Sequence, residues 1–303
     1  MTAITDLVIV GGGPAGCAAA VMAASVGMRS MLIEPEALCA KIRHIAAVNN
    51  VVGGHTSGPE LATAIAEDVA RTELCEVDLG ARVNEVRAYD DRVAVTTDTG
   101  RTVNASYAVV ATGVGPIPVS AVAWVTVASD IDLPTLWGAK APDAATRSVL
   151  VLGADRPLGT FLRAHPAVDV AVTVAYPPED DYKVDEVRGD PRVTLLPVAD
   201  ASVSEGGGGA FIAEWVDRAG RSGSRTVDAV YANLGSAPVA PPGDLAPEAS
   251  GYCPPDRQHP RVLVAGDLRS ARFQRIMAAT GSGSEAALRA YYGLRGVLSI
   301  SDM

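Results

Sequence analysis

The glycine-rich stretch VIVGGGPAGCAAA, residues 8–20, is the feature that most constrains what this chain can fold into. Gly11, Gly13 and Gly16 form the pattern G-x-G-x-x-G directly after an apolar strand and at the head of a small-residue helix. In this pattern the first glycine permits a tight turn, the second lets the backbone approach a pyrophosphate, and the third lets helix and strand pack closely. The spacing predicts a βαβ unit that binds a dinucleotide at the N-terminus of its helix.

An acidic residue follows where such a unit needs one. Glu34 ends the next predicted strand, MRSMLIE, 18 residues after Gly16. A carboxylate at this place can accept hydrogen bonds from both hydroxyls of an adenosine ribose, and it would repel a 2′-phosphate. Because strand, helix, second strand and acid occur in order, we predict a dinucleotide site rather than a merely structural glycine turn.

Composition and charge describe a globular protein. The 303 residues are 48% hydrophobic and 20% charged, which suits two modest domains with a substantial core. The formal net charge of -10 argues against a nucleic acid or an anionic membrane as partner. The start MTAITD lacks a cationic segment, and the apolar run behind it breaks at the glycines, so we expect neither a signal peptide nor a membrane span.

The cysteines give no pattern that points to a disulfide or a metal. They are scattered, with no C-x-x-C and no metal-ligand spacing, at Cys17, Cys39, Cys75 and Cys253. We expect free thiols, no metal site and a cytoplasmic location. Packing is the expected role of Cys17, and Cys39 is the thiol to test for reactivity.

The rest of the chain alternates strand and helix patterns, which predicts an α/β fold. A helix is predicted over 59–75, strands over 81–89, 92–98 and 106–113, a last strand over 261–267 and a last helix over 276–292. A second strand, glycine turn and short helix, VLVLGADRPLGTFL, occupies residues 149–162. The fold class we expect is two Rossmann-like three-layer domains, one discontinuous, with a smaller degenerate nucleotide-binding domain inserted into it.

Several distant motifs resemble those of thioredoxin reductases, within the FAD-dependent pyridine nucleotide-disulfide oxidoreductases. The motifs are AAVNNVVGG at 46–54, GPEL at 58–61, VVATG at 109–113, ANLGSAP at 232–238 and VLVAGDLRSARFQRIMAATGSG at 262–283. The resemblance implies FAD as cofactor and a homodimer. It also implies an FAD domain of residues 1–115 and 245–303, with a nicotinamide-type domain of residues 116–244 between the two parts.

The resemblance also carries residue roles onto this chain. Asp267 is expected to hold the ribityl chain, and the backbone at Arg275 and Ile276 to face the flavin, where a positive helix end would stabilise the anionic reduced flavin. The positions expected to contact FAD are Gly11, Gly12, Gly13, Pro14, Ala15, Gly16, Glu34, Lys41, Asn50, Val83, Thr112, Gly113, Gly266, Asp267, Arg275 and Ile276.

Two departures from the family pattern concern electron transfer. The family carries a redox C-x-x-C in the central domain, but residues 132–153 of this chain contain no cysteine. In the second glycine turn, Asp155 stands where a glycine should approach the pyrophosphate, so it brings bulk and negative charge to an anion site.

A third departure lies after the next strand. Tyr176, Pro177 and Pro178 replace the H-R-R that binds the 2′-phosphate of NADPH in the family, and three acidic residues follow. Arg156 and Lys183 are the cations left to contact a phosphate. We therefore predict that residues 116–244 keep the fold but no longer form a working NAD(P)H site.

Without a dithiol or a nicotinamide, the flavin must exchange electrons directly with a partner. We predict an FAD-dependent oxidoreductase or oxidase that acts on a small organic substrate or a protein electron donor, with Lys41 and His44 as candidate catalytic residues near the flavin. One alternative is an NAD(P)H-dependent reductase of an external disulfide or a ferredoxin-like carrier. The other is a non-catalytic flavin-binding interaction or sensor protein.

Overall fold

A computed structural model describes residues 5–137, 139, 140, 142 and 146–297. The helices are α1 Pro14–Ser25, α2 Gly58–Ala70, α3 Pro157–Ala164 and α4 Ile276–Leu294. The strands are β1 Thr5–Val10, β2 Ser30–Glu34, β3 Cys75–Leu79, β4 Val83–Ala88, β5 Val93–Thr97, β6 Thr102–Val110, β7 Val114–Pro116, β8 Val125–Val127, β9 Ser148–Leu152, β10 Ala171–Tyr176, β11 Val193–Pro197, β12 Asp200–Glu205, β13 Phe211–Val216, β14 Ser222–Val227, β15 Ala229–Ala232, β16 Ser236–Pro238 and β17 Val262–Val264.

The chain divides into two compact units. Unit 1 comprises the residues up to 115 and those from 238 onward, and unit 2 comprises residues 116–237. The return to unit 1 therefore comes earlier than the predicted residue 245. The reason is that residues 239–244 bond to unit 1: Val239 N donates to Gly113 O (3.0 Å), and Asp244 N donates to Val86 O (2.8 Å).

Unit 1 is built on one sheet, in which seven strands of the described chain take part, in the order β3-β2-β1-β6-β5-β4 with β17 also on β6. The βαβ unit predicted from the glycine motif is present, since β1 pairs in parallel with both β2 and β6. Alternate residues of β1 face opposite ways, as the pleat requires. Leu7 and Ile9 pack with α1, α2 and α4, whereas Val8 and Val10 share a core with the antiparallel strands β4 and β5.

Helix α2 is shorter than the sequence indicated. Ser57 Oγ accepts a hydrogen bond from Glu60 N (3.4 Å), which fixes the start next to Pro59 as expected. The helix ends at Ala70, and Cys75, predicted as its last residue, instead opens β3. The cause is tertiary, because Cys75 pairs with Ser30 at the sheet edge and the segment gains a strand ladder there.

Unit 2 repeats the plan on a smaller scale. A parallel sheet of described strands runs β11-β10-β9-β15, with the predicted short helix α3 after β9. A second sheet, β14-β13-β12-β8, is antiparallel except for the β12–β8 pair. The predicted fold class, two Rossmann-like α/β domains, is confirmed. Within the described ranges, no helix is both long and apolar enough to cross a membrane.

Helices α1 and α4 lie in close contact in unit 1. A Cβ added to Gly283 of α4 would overlap the carbonyl oxygen of Ala15 in α1, so the two backbones can approach only because this position has no side chain. Two residues earlier on the same helix, a Cβ added to Gly281 meets nothing within 4 Å.

This pair of glycines supplies a matched test of the packing. We expect Gly283→Ala to destabilise the protein by about 3 kcal/mol or more, because rigid backbone atoms must move apart. Gly281→Ala should instead stabilise it by up to about 1 kcal/mol, since alanine is the better helix former and the site is open. Thermal unfolding of both variants measures the difference. Equal midpoints would contradict the close helix contact.

Candidate functional site

The turn after β1 is shaped by two glycines that cannot be replaced. Gly11 has φ +102°, and a Cβ added there would lie 2.7 Å from Ala111 O. A Cβ added to Gly16 would overlap Gly11 O. Both positions therefore require glycine for backbone reasons. At Gly13, by contrast, an added Cβ would meet no atom within 4 Å, so the missing side chain leaves open space in front of α1.

That open space is suited to an anion. Gly13 caps α1 with no side-chain hydrogen bond, and Pro14 follows at the first helical position. The first-turn N–H groups of a helix have no partner inside the helix, and the helix dipole places positive charge there. The turn thus presents donors toward an unfilled space, which is the arrangement that a pyrophosphate requires.

Glu34 is held next to the same turn. Its Oε2 accepts a hydrogen bond from Gly12 N (2.6 Å), and its Oε1 accepts one from Glu36 N (3.0 Å). Each carboxylate oxygen keeps a further lone pair. The carboxylate is therefore fixed beside the glycine turn with acceptor capacity left for ribose hydroxyls.

Other predicted contact residues, distant from this turn in sequence, lie next to it. The backbone nitrogen of Thr112 lies 3.0 Å from a Cβ added to Gly11, and Thr112 Oγ1 donates to Val239 O (2.5 Å). Gly266 has φ +70°, and a Cβ added there would lie 3.0 Å from Ala15 Cβ. The loops after β6 and β17 therefore meet the head of α1, as parallel neighbouring strands make them do.

Lys41 lies close to this group. Its Nζ donates to Val114 O. Desolvation lowers the pKa of the Lys41 ammonium from its ordinary value, while the carboxylates of Asp267 and Glu34 act in the opposite direction. A lysine whose pKa is lowered gives up its proton more readily than an ordinary surface lysine.

The remaining predicted residues are not joined to the turn by the contacts seen. His44 ends a short 3-10 turn with an exposed side chain, and Asn50 is exposed in the loop before α2. Val83 lies on β4 and packs against the core shared with Val8 and Val10. Arg275 caps α4 and is exposed, while Ile276 packs against the helix-side core. The roles of these residues in FAD binding or catalysis stay predictions.

In unit 2 the corresponding turn is filled by its own residues. Asn233 follows β15 as Ala111 follows β6, because Leu152 pairs with Ala232 as Val10 pairs with Val110. Asn233 Nδ2 donates to Asp155 O (2.8 Å) and Gly153 O (3.3 Å), and the residue is only 5% exposed. The side-chain amide of Asn233 thus bonds to the backbone of the turn, whereas the corresponding residue of unit 1, Ala111, has only a methyl group.

Helix α3 also begins differently from α1. The fifth residue after the first glycine is Gly16 in unit 1 and Leu158 in unit 2, and Leu158 is fully packed in the core at 2% exposure. A side chain there prevents the close approach that Gly16 makes. Accordingly α3 starts at Pro157, four residues after Gly153, whereas α1 starts three residues after Gly11. The half-buried Asp155 lies in the lengthened turn.

In unit 2, the place that corresponds to Glu34 is occupied as well, and we call it the ribose corner. Tyr176 follows the last β10 residue that pairs with β9, as Glu34 follows the last β2 residue that pairs with β1, and it is 1% exposed. Its hydroxyl donates to Asp181 Oδ1 (2.7 Å), and Arg188 Nη2 donates to Asp181 Oδ2 (2.9 Å). Burial, followed by the bond to Asp181, raises the pKa of Tyr176 to about 12. Lys183, a cation left to bind phosphate, pairs with Asp180 instead (2.8 Å).

Comparisons with known proteins agree with this geometry. Residues 5–130 match the model of the pyridine nucleotide-disulphide oxidoreductase family. Over 96% of this chain and 99% of the other, the structure superposes on thioredoxin reductase of Lactococcus lactis with a TM-score of 0.77 at 19% identity. The chain has a thioredoxin reductase-like fold. The resemblance predicted from the short motifs is confirmed.

Two further structures give the same result. Thioredoxin reductase of T. acidophilum matches with a TM-score of 0.76 at 22% identity, covering 96% of this chain and 99% of that one. Bacillithiol disulfide reductase of Bacillus cereus matches with a TM-score of 0.71 at 18% identity, covering 95% and 99%. No curated protein sequence matched the chain.

The residues of unit 1 can be compared with what FAD requires of a protein. The space at Gly13, the unpaired first turn of α1 and the fixed carboxylate of Glu34 fit a flavin dinucleotide. Among the described residues, no group of histidine, cysteine and carboxylate side chains is arranged to hold a metal ion.

A thiol pair at the same turn was not foreseen from the sequence. Cys17 and Cys39 lie with their Sγ atoms 3.9 Å apart, and both are buried. Cys17 Sγ donates to Gly12 O (3.3 Å), and Cys39 N donates to the same oxygen (2.8 Å). The hydrogen bond with Cys39, together with burial, raises the pKa of Cys17 above its ordinary value. A protonated buried thiol is a poor nucleophile, so the raised pKa of Cys17 favours a packing role for this thiol at the turn.

The contacts of Asn233 and Tyr176 were not foreseen for a different reason. The sequence places Asn233 directly after an apolar strand and Tyr176 at the end of another, close to the second glycine turn. That position was the available signal. Their contacts with Gly153 and Asp181 depend on side-chain direction, which the pattern does not give.

The raised pKa of Cys17 predicts a loss of stability in alkali. The folded protein keeps this thiol protonated, whereas the unfolded chain ionises it above about pH 8.5. The free energy of unfolding is therefore unaffected below that pH and falls above it, by at most about 1.4 kcal/mol per pH unit. We expect wild type to lose more stability in urea unfolding between about pH 7.5 and about pH 9.5 than Cys17→Ala. Equal losses would be inconsistent with the shift.

Proposed function

We propose that this protein is an FAD-dependent oxidoreductase whose flavin reacts directly with a small organic substrate or a protein electron donor. The observation that carries the proposal is the contrast between the two glycine turns. Unit 1 leaves the space at Gly13 open, whereas unit 2 has Asp155 at the matching position and the amide of Asn233 bonded to the backbone carbonyls of that turn.

Unit 1 would hold the cofactor through its backbone and a few side chains. The first turn of α1 would bind the pyrophosphate, Glu34 the adenosine ribose, and Asp267 the ribityl chain. FAD supplies two-electron redox chemistry at its isoalloxazine ring. The residues of this chain bind it, orient it and provide charge.

Lys41 is proposed to move a proton. Its lowered pKa and the hydrogen bond that holds its Nζ at Val114 O, near the glycine turn, support a role as a donor to the group that is reduced. His44, exposed at the end of the same short turn, remains the second candidate.

Unit 2 is proposed to be a retained scaffold. An NADPH reductase would need a pyrophosphate turn, a ribose contact and a phosphate clamp. Here these places hold Asp155 with Asn233, the buried Tyr176, and Lys183 paired with Asp180. A homodimer and a cytoplasmic location are kept as proposals, to be checked by sedimentation and by fractionation of cells.

The decisive experiment uses the whole protein and its visible spectrum. We expect FAD to co-purify, and its absorbance to persist when the oxidised protein is mixed anaerobically with NADH or NADPH. Rapid bleaching by either nicotinamide would overturn the scaffold role of unit 2 and favour the NAD(P)H-dependent reductase. Failure of the protein to bind FAD at all would overturn the whole proposal. A flavin that no organic or protein donor reduces would favour a sensor or interaction protein.

A variant transfers the unit 2 residue into unit 1. Gly13→Asp places a carboxylate where Asp155 stands in the other turn, in a space that has room for the side chain. The fold should survive, but affinity for FAD should fall about a hundredfold through repulsion of the pyrophosphate. Gly13→Ala is the matched control, which adds bulk without charge and should weaken binding less. Titration of the apoprotein with FAD, followed by fluorescence, measures both. Unchanged binding in Gly13→Asp would remove the pyrophosphate from this turn.

A further inference from the structure

An aromatic residue protrudes into solvent immediately before α4. Phe273 has 84% of its surface exposed, and its φ is +61°. Bulky residues other than glycine rarely adopt this backbone region, at a cost on the order of 1–3 kcal/mol. The strain is not offset by burial of the ring. A residue that is both strained and exposed gains its favourable contacts elsewhere than in this fold.

The neighbouring residues fix Phe273 in this conformation. Gln274 Nε2 donates to Ser270 O (3.1 Å), Tyr252 Oη (3.3 Å) and Asp267 O (3.4 Å). On the other side, Arg272 N donates to Ser270 Oγ (3.1 Å). The loop is thus anchored on both sides of Phe273, and its ring is held outward before any partner arrives. Such preorganisation reduces the entropy cost of binding.

Two arginines flank the ring. Arg272 and Arg275 are both exposed, and within the described part of the chain neither forms an ion pair with a carboxylate. Arg275 Nη1 donates to the adjacent Gln274 O (2.8 Å). Since the chain as a whole has a net charge of -10, this segment is a local reversal of charge. We call residues 272–275 the Phe273 patch.

We propose that the Phe273 patch is the docking surface for an acidic electron-carrier protein. Aromatic and arginine side chains are the residue types enriched at the centres of protein interfaces, and two unpaired guanidinium groups complement surface carboxylates. The ring protrudes instead of lining a cavity, which suits a protein surface better than a small molecule. The inference rests on the proposed function, in which the flavin lies at the head of α4 next to this patch.

A second copy of this chain fits the patch less well. The usual two-fold dimer brings the same surface of both copies together. Arg272 and Arg275 would then face the arginines of the partner copy, and like charges in an interface disfavour association.

The test measures binding of a defined probe to the FAD-loaded protein. The probe is a purified acidic [2Fe–2S] ferredoxin. We expect the ferredoxin to bind, more tightly at about 0.02 M than at about 0.3 M salt, because salt screens its attraction to the two guanidinium groups of the patch. The double variant Arg272→Glu with Phe273→Gly should weaken ferredoxin binding at least about tenfold. Glycine at 273 also relieves the backbone strain, so the fold should be kept.

Matched control variants carry the same kinds of change at other exposed positions. Tyr182→Ala removes an aromatic ring that is 70% exposed in unit 2, and Arg257→Glu reverses an exposed charge in unit 1. Both should bind ferredoxin like wild type. Equal weakening in the controls, or unchanged binding in the double variant, would overturn the patch. So would a wild-type dimer, seen by sedimentation, that the double variant dissociates, because the occupant would then be a second copy.

A redox readout separates this inference from the proposed function. Two reduced ferredoxins, each oxidised by one electron, would reduce one FAD with protons taken from solvent, and the flavin absorbance would bleach faster in wild type than in the double variant. A protein that binds FAD but neither binds nor is reduced by ferredoxin overturns the docking inference alone. A protein that cannot bind FAD overturns the proposed function, while ferredoxin binding measured on the protein as purified still decides the patch.

Discussion

The fold of unit 1 depends on a place where two backbone segments touch because a side chain is missing. Gly16 in α1 lies against the carbonyl of Gly11, and Gly283 in α4 lies against the carbonyl of Ala15. These contacts set how closely α1 approaches the end of β1 and how α4 lies on α1. They also direct the free N–H groups of α1 toward the space left at Gly13. The open space proposed for the cofactor and the helix packing therefore have the same physical origin.

Unit 2 shows what happens when that contact is removed while the strand pattern is kept. The register of β9 with β10 and β15 matches that of β1 with β2 and β6. Leu158 cannot make the approach of Gly16, so α3 begins one residue later relative to its first glycine. Asn233 then fills the turn, and Tyr176 with Asp181 fills the ribose corner. The parallel sheet persists without a glycine cradle, because its stability comes from apolar strands and not from the turn.

The proposed scaffold role of unit 2 moves attention to the surface of unit 1. A flavin that receives electrons directly needs a partner that approaches its protein closely. The Phe273 patch is exposed, anchored by hydrogen bonds and cationic in an acidic chain, which are properties of a recognition surface. Lys41 lies in the same unit, so the proposed proton donor and the proposed docking surface would serve one cofactor.

Sequence patterns determined most of the helices and strands and the likeness to thioredoxin reductases. The signals were the apolar runs of the strands, the spacing of the glycines and the distance from Gly16 to Glu34, all of which are local properties of the chain. For the same reason they determined the turn at Gly11 to Gly16 and the position of Glu34 at the end of β2. They also located the departures from the family pattern at Asp155 and from Tyr176 onward, but not the contacts that Asn233 and Asp181 make there. Tertiary structure alone decided that Cys17 meets Cys39, that Asn233 closes the second turn, that Cys75 joins the sheet and that Phe273 faces solvent. These outcomes depend on side-chain direction and on pairing between residues far apart in the chain, which no local pattern specifies.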